Sequence, residues 1–356
     1  MRLVIALALS ALSLTAAKAD AATADAPPRI DAPIEAPRPE PAHVDPALAR
    51  ANADMLAVYR ALSLQVAGDA QLDLWESQRL WSRYADQFCQ FEQDDAARLA
   101  RPGRHETQSE CLARTAATRE AELKNGLQTV GPWTFLRLTD HRIHWARGTL
   151  GSGPIESAVT WMQLAKPVAE AGRRWNAAVA RQLDQTMSAA FDRADTELGS
   201  AAAERDISFN AGVDIAAVTP DLIDVSIHAS ADPIGPAPPR SAARRLIWSM
   251  SMERPIDATD LFDPRSLWRP SLAQMAADRL DPGAAEGAPA SQVQAIAGLA
   301  ADPARWTLRP GGLLVDLSNS ASVAPALALV PWPLLSPYLK RPLLVEPAAL
   351  VQGPTG

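Results

Sequence analysis

Cys89 and Cys111 are the only two cysteines in the 356-residue chain. Zinc sites and catalytic redox centres draw their thiolates from close pairs such as C-x-x-C, and these two are too far apart in sequence for either. In an oxidising compartment an even cysteine count favours a disulfide over two free thiols. Asp140-His141-x-x-His144, in "TDHRIHW", is the one cluster with metal-ligand side chains. On a helix its two imidazoles would share a face. The flanking "WTFLRL" and "HWARG" read instead as strand or hairpin, which sends His141 and His144 to opposite faces. No second cluster completes a site, so no metal is expected.

Other reactive patterns are equally bare. "GTLGSGP" (148–154) sets glycines around Ser152 but lacks the apolar helix start that follows a nucleophile elbow, so it reads as a loop. There is no phosphate loop or dinucleotide fingerprint, and no cofactor is called for. Asp94-Asp95 reads as a solvated helix end, and His105 as an exposed loop residue. The ten tryptophans are scattered and form no sugar-binding track. These patterns predict no catalytic residues and a protein that is not an enzyme.

The compartment follows from "MRLVIALALSALSLTAAKAD". Arg2 precedes an apolar run, Leu3 to Leu14, and Ala17-Lys18-Ala19 offers small residues where a signal peptidase reads. The run is shorter than the roughly 20 residues that span a bilayer, and no cysteine follows it to carry a lipid. No later stretch is long and apolar enough to cross a membrane. A signal peptide over 1–19 and a periplasmic or secreted protein beginning near Asp20 are expected. The formal charge is −7; loss of the cations Arg2 and Lys18 with the leader makes the remainder about −9. Such a chain is a poor partner for nucleic acid or anionic lipid and a better one for a cationic protein.

About 335 residues remain after the leader, which predicts two domains. Residues 20–45 carry six prolines from Pro27 to Pro41 and read as an extended linker. Asp45-Pro46 then opens a helix. Over 46–67, Leu48, Met55, Tyr59, Leu62 and Val66 repeat at helical spacing. Leu74, Trp81, Tyr84, Phe88 and Phe91 do so over 70–94. Thr107-x-x-Glu110 is a capping-box pattern at the start of a third helix, 107–125. An antiparallel pairing of the last two would bring Cys89 and Cys111 together. After Gly126 the texture changes to strands at 133–138, 221–229, 245–252 and 312–317, with helices at 165–198 and 269–280. Residues 281–292 read as a loop, and the proline-rich close as irregular apart from a turn near Leu334. The fold class expected is α+β: an N-terminal disulfide-clasped helical domain followed by a C-terminal α+β domain.

Gln78-x-x-Trp81-x-x-Tyr84-x-Asp86-x-x-Cys89, then Cys111 followed by Arg119 and Leu123, resembles the LprI-like lysozyme-inhibitor domain. The likeness covers residues 46–127. Ala85 stands where the family often has arginine, and Ala116 where it has threonine. "RPGRHETQSE" replaces a glycine-serine-rich loop before the second cysteine. The resemblance implies a Cys89–Cys111 disulfide and lysozyme, or a similar wall hydrolase, as partner. In it Trp81, Tyr84 and Phe88 read as core, and Arg119 is expected to pair with Asp86 as a structural contact. The second half, 128–345, is similar to the DUF3298-like domain of RsiV-type anti-sigma ectodomains and peptidoglycan deacetylases. The carrying segments are "AEAGRRWNAAVARQL" with Asn176, "DATDLFDP", "WTLRPGGLLVDL" and "VPWPLLSPYL". Departures fall at "DPIGPAPPR" and "SNSASVAP", and 346–356 reads as a tail. Together these resemblances imply a non-catalytic inhibitor acting by occlusion. The alternative is an envelope scaffolding module that binds peptidoglycan or a wall-remodelling enzyme.

Overall fold

The computed structural model describes residues 45–99, 106–145, 154–167, 169–198, 207–233, 239–280, 290–318, 326–340 and 347–353. The expected signal peptide and nearly all of the linker lie outside the described residues, as do the loop at 148–153 and His105. The side chains of Asp94, Asp95 and His144 are outside them too.

Helix α1 (Pro46–Ser63) starts as its sequence predicts: Asp45 accepts the Ala47 N–H at 2.8 Å, and Pro46 fills the first turn. Its apolar stripe buries Met55, Tyr59 and Leu62. Helix α2 (Asp69–Leu99) follows, then α3 (Gln108–Lys124). Thr107 and Glu110 form the expected reciprocal cap on α3, with bonds of 3.2 and 2.8 Å. The sheet then builds in chain order. It comprises β1 (Leu127–Val130), β2 (Trp133–Trp145), β3 (Pro154–Leu164), β4 (Ile207–Val218), β5 (Leu222–Pro233), β6 (Arg240–Ser249) and β7 (Arg254–Pro255). These pairs are antiparallel except β3 with β4, which are parallel and joined through the long helix α4 (Glu170–Leu198). A parallel pair needs such a crossover, whereas its antiparallel neighbours need only turns.

Beyond β7 come α5 (Ala258–Leu261), α6 (Trp268–Leu280) and α7 (Ala290–Ala300), then a three-stranded sheet. Its strands are β8 (Trp306–Arg309), β9 (Gly312–Asp316) and β10 (Leu327–Pro331), in the order β10-β9-β8. A short α8 (Trp332–Leu335) closes this region. Within the stretch read as a tail, β11 (Val351–Gln352) pairs with β4. The chain is α+β, with the disulfide in its helical N-terminal region.

Among the described residues, three cores hold the elements together. The first lies among α1, α2, α3 and β2, and takes Leu136 and Leu138 from the strand. Packing therefore crosses residue 127, and Val44–Gly356 is one compact unit. The second joins the large sheet to α4 through Trp175, Val179 and Leu183. In the third, α6, α7 and the small sheet pack on the large sheet around Phe262, Trp268 and Trp306. Phe262 stacks on Trp268 at 4.5 Å, and Trp306 meets Phe262 edge-on at 5.5 Å.

Gly312 is required where β9 faces β10. A Cβ there would lie 2.3 Å from the Val330 carbonyl oxygen and 2.9 Å from the Pro331 Cα. These are backbone atoms of a paired strand and cannot swing aside. Gly312→Ala is expected to destabilise the protein by about 1–3 kcal/mol, read as a lower denaturant midpoint with unchanged slope.

Candidate functional site

The residues that carry the first resemblance meet where α2, α3 and β2 adjoin. Cys89 and Cys111 form a disulfide with 5.7 Å between their Cα atoms, and both are buried. This joins the late part of α2 to the first turn of α3. It sets the antiparallel register of the two helices.

Arg119 is the centre of the arrangement, with a side chain only 1% exposed. Its Nε donates to Gln78 Oε1 at 3.3 Å, and Nη2 donates to Ser77 Oγ at 2.9 Å. Nη1 reaches Glu122 Oε2 at 2.9 Å and the Thr139 carbonyl at 3.1 Å. The last bond has a topological reason. β1 pairs with β2 only over Trp133–Leu136, so β2 runs on past the end of its neighbour. Edge strands leave carbonyls and amides in need of partners; here the guanidinium supplies one. The predicted Arg119–Asp86 pair does not form, since Asp86 is exposed and Arg119 is engaged with these four other groups.

A chain of contacts continues outward. The other Glu122 oxygen, Oε1, lies 2.9 Å from His141 Nε2. Burial acts to raise the Glu122 pKa, but the hydrogen bonds from His141 and Arg119 outweigh it and hold the carboxyl below its ordinary value. The His141 ring stacks on Tyr84 at 5.1 Å, and Tyr84 stacks on Phe88 at 5.6 Å. Tyr84 is half-buried, and its hydroxyl donates to Glu156 Oε2 at 3.1 Å. Burial, and then the Glu156 charge, push its phenol upward. Trp81 is buried in the core beneath.

A cleft of about 400 Å³ opens beside this chain, lined by Thr118, Arg119, Glu122, Asn125, Arg137 and Thr139. Arg119 bonds to Glu122 and to the Thr139 carbonyl within this lining, and the hydroxyls of Thr118 and Thr139 are bonded to the Arg114 carbonyl and to Thr160. Among the described residues, no three His, Cys, Asp or Glu side chains are arranged to hold a metal ion. Asn176, from the second resemblance, ties α4 to β3: its Oδ1 accepts the Leu164 N–H at 2.8 Å. Asp257 and Asp260 of "DATDLFDP" cap α5, and Asp260 also binds Arg254 through two bonds of 2.7 Å. Trp306 is fully buried, and its indole N–H donates to the Ala300 carbonyl at 2.8 Å.

Sequence reasoning missed the parts played by Ser77, Gln78 and Glu122. Gln78 is a motif position, so the signal was present, but its partner on α3 was not readable. Asp224 was missed as well, although a lone carboxylate within "LIDVSI" marks an unusual strand.

No family model matches the chain, and no curated protein matches it. Among the solved structures that the chain resembles are two DUF3298 proteins. One is a DUF3298 family protein from Pseudomonas aeruginosa PAO1, with TM-score 0.40 and 14% identity, over 59% of this chain and 95% of that one. Another is a member of the family from Bacteroides fragilis, with TM-score 0.40 and 11% identity, over 60% and 96%. They carry the family name read from the second half of the sequence. Both likenesses are distant, and no residue role follows from them.

Proposed function

We propose that this protein is a secreted, periplasmic inhibitor of lysozyme or a similar wall hydrolase, acting by occlusion and without chemistry of its own. The observation that carries the reading is the closed circuit around Arg119. Gln78, Ser77 and Glu122 each accept from Arg119, Glu122 also bonds to His141, and the disulfide locks the two helices that bear most of them. Bonding of this kind beneath the surface favours a rigid outer face, because little conformational freedom is left to lose on binding. The formal charge of −7 adds long-range attraction for a basic hydrolase.

The test is turnover of cell-wall suspensions by lysozymes of several classes, with and without the purified protein, paired with pull-downs. Inhibition with binding that weakens as salt rises is the expected result. Full lysozyme activity together with no capture would remove the reading. Co-sedimentation with purified sacculi in that case would favour the scaffolding alternative.

A further inference from the structure

The first half of β5 is apolar through Leu222, Ile223, Val225 and Ile227, with one carboxylate, Asp224, set among them. The strand is buried on both faces: Leu222 joins the core under the small sheet, while Ile223 and Val225 join the core under α4. Asp224 itself is 0% exposed. Its Oδ2 accepts the Leu308 N–H at 2.8 Å, and its Oδ1 is buried without a hydrogen-bond partner. That bond joins the two sheets, since β5 belongs to the large one and Leu308 lies on β8 of the small one; the bond from Arg309 on β8 to Gln352 on β11 is a second link.

The charged groups facing Asp224 are Arg245 on β6 and Arg309 on β8; Asp316 on β9 and Asp214 on β4 face Arg245 in turn. Neither guanidinium hydrogen-bonds to Asp224, and Arg309 donates instead to Gln352 Oε1. An ionised carboxylate in such a place is costly, because attraction at a distance replaces little of the lost hydration. Burial accordingly pushes the Asp224 carboxyl up to about 7, against the opposing pull of Arg245, the Leu308 amide and Arg309.

We propose that Asp224 is a proton-operated latch between the two sheets, closed when the carboxyl is neutral and loosened when it ionises. The sign follows from linkage. Docking raises the affinity of Asp224 for its proton, so the stability it contributes is fully present below the ordinary value of 3.8. It is lost as pH rises through about 7, and above that the docked and opened states are both ionised and the dependence ends.

Hydrogen exchange on the full-length protein between pH 5 and 9, corrected for intrinsic rates, tests this. Protection of the β8 and β9 amides is expected to fall by up to about tenfold per pH unit up to neutrality, then level off. The α1 amides, in a separate core, should not share that slope. Asp224→Asn keeps an oxygen for the Leu308 N–H but has no charge, so its profile should be flat and its protection higher at pH 8. Arg245→Met removes a nearby cation and should move the levelling point to higher pH. A flat wild-type profile overturns the proposal, as does an unchanged slope in Asp224→Asn. Should that variant fail to fold, the wild-type profile and the Arg245→Met shift decide it, and an unmoved levelling point counts against the latch.

Discussion

Arg119→Met is expected to lower the unfolding free energy by about 3 kcal/mol. Methionine fills similar volume, so the loss comes from the acceptors left behind. Gln78 and Ser77 are buried, and the Thr139 carbonyl has only a 3.5 Å contact from Ser77 besides Arg119. Each buried acceptor left unsatisfied costs about 1–3 kcal/mol. Glu122 is partly exposed and keeps His141, so it adds less. Arg119→Lys should recover only part of the loss, because one ammonium cannot span the four directions a guanidinium reaches. Denaturant midpoints at constant slope give the measurement; a change within 0.5 kcal/mol (roughly the scatter of surface substitutions) would mean the clamp is incidental. Acid adds a second readout. The Glu122 carboxyl is held below its ordinary 4.5, so its contribution is present above that pH and lost as pH falls through the lower folded value. The variant should show a shallower loss of stability in that acid range.

Removing the disulfide by Cys89→Ala with Cys111→Ala is expected to cost about 3 kcal/mol on the chain-entropy estimate for a link of this span. The two residues are 22 apart in sequence, and a loss of that size is a large share of a typical stability of about 5–15 kcal/mol. Both sulfurs are buried, so reductant should act on the wild type only as fast as the helices open. Thermal melts with and without reductant distinguish the cases: the wild type should fall toward the variant, and the variant should not respond. Equal melting temperatures for oxidised wild type and variant would show that the link adds nothing.

The helices were legible because their signals are local. Asp45-Pro46, Thr107-x-x-Glu110 and the stripe Met55-Tyr59-Leu62 each act within one or two turns. Helix α4, expected from 165, begins at Glu170; Lys166 and Pro167 lie outside any regular element, and a residue before proline disfavours the helical region. α7 was not expected: its first three residues fall in the expected loop over 281–292, and the spacing of Val293, Ile296, Ala297 and Ala300 that packs it on the core went unread. Strands β3 and β4 escaped because their parallel pairing depends on a crossover of more than forty residues.

The Arg119 partner was misjudged for a metric reason. Arg119 lies eight residues past Cys111, about 12 Å along α3. Its antiparallel counterpart on α2 must lie a comparable distance before Cys89. Ser77 and Gln78 meet that condition at about 17–18 Å, whereas Asp86 is only about 4.5 Å from the link. The motif contained both ends of the contact, but pairing them needed the register.

The bond from Arg119 to the Thr139 carbonyl bears on how the chain survives its own synthesis. Until α3 is in place, β2 past Leu136 presents an uncovered rim to any passing extended segment. Oxidation of the cysteines anchors the helix that covers this rim. Thiol oxidation would then act as a solubility checkpoint, and chains delayed in the reduced form would be the ones lost to aggregates.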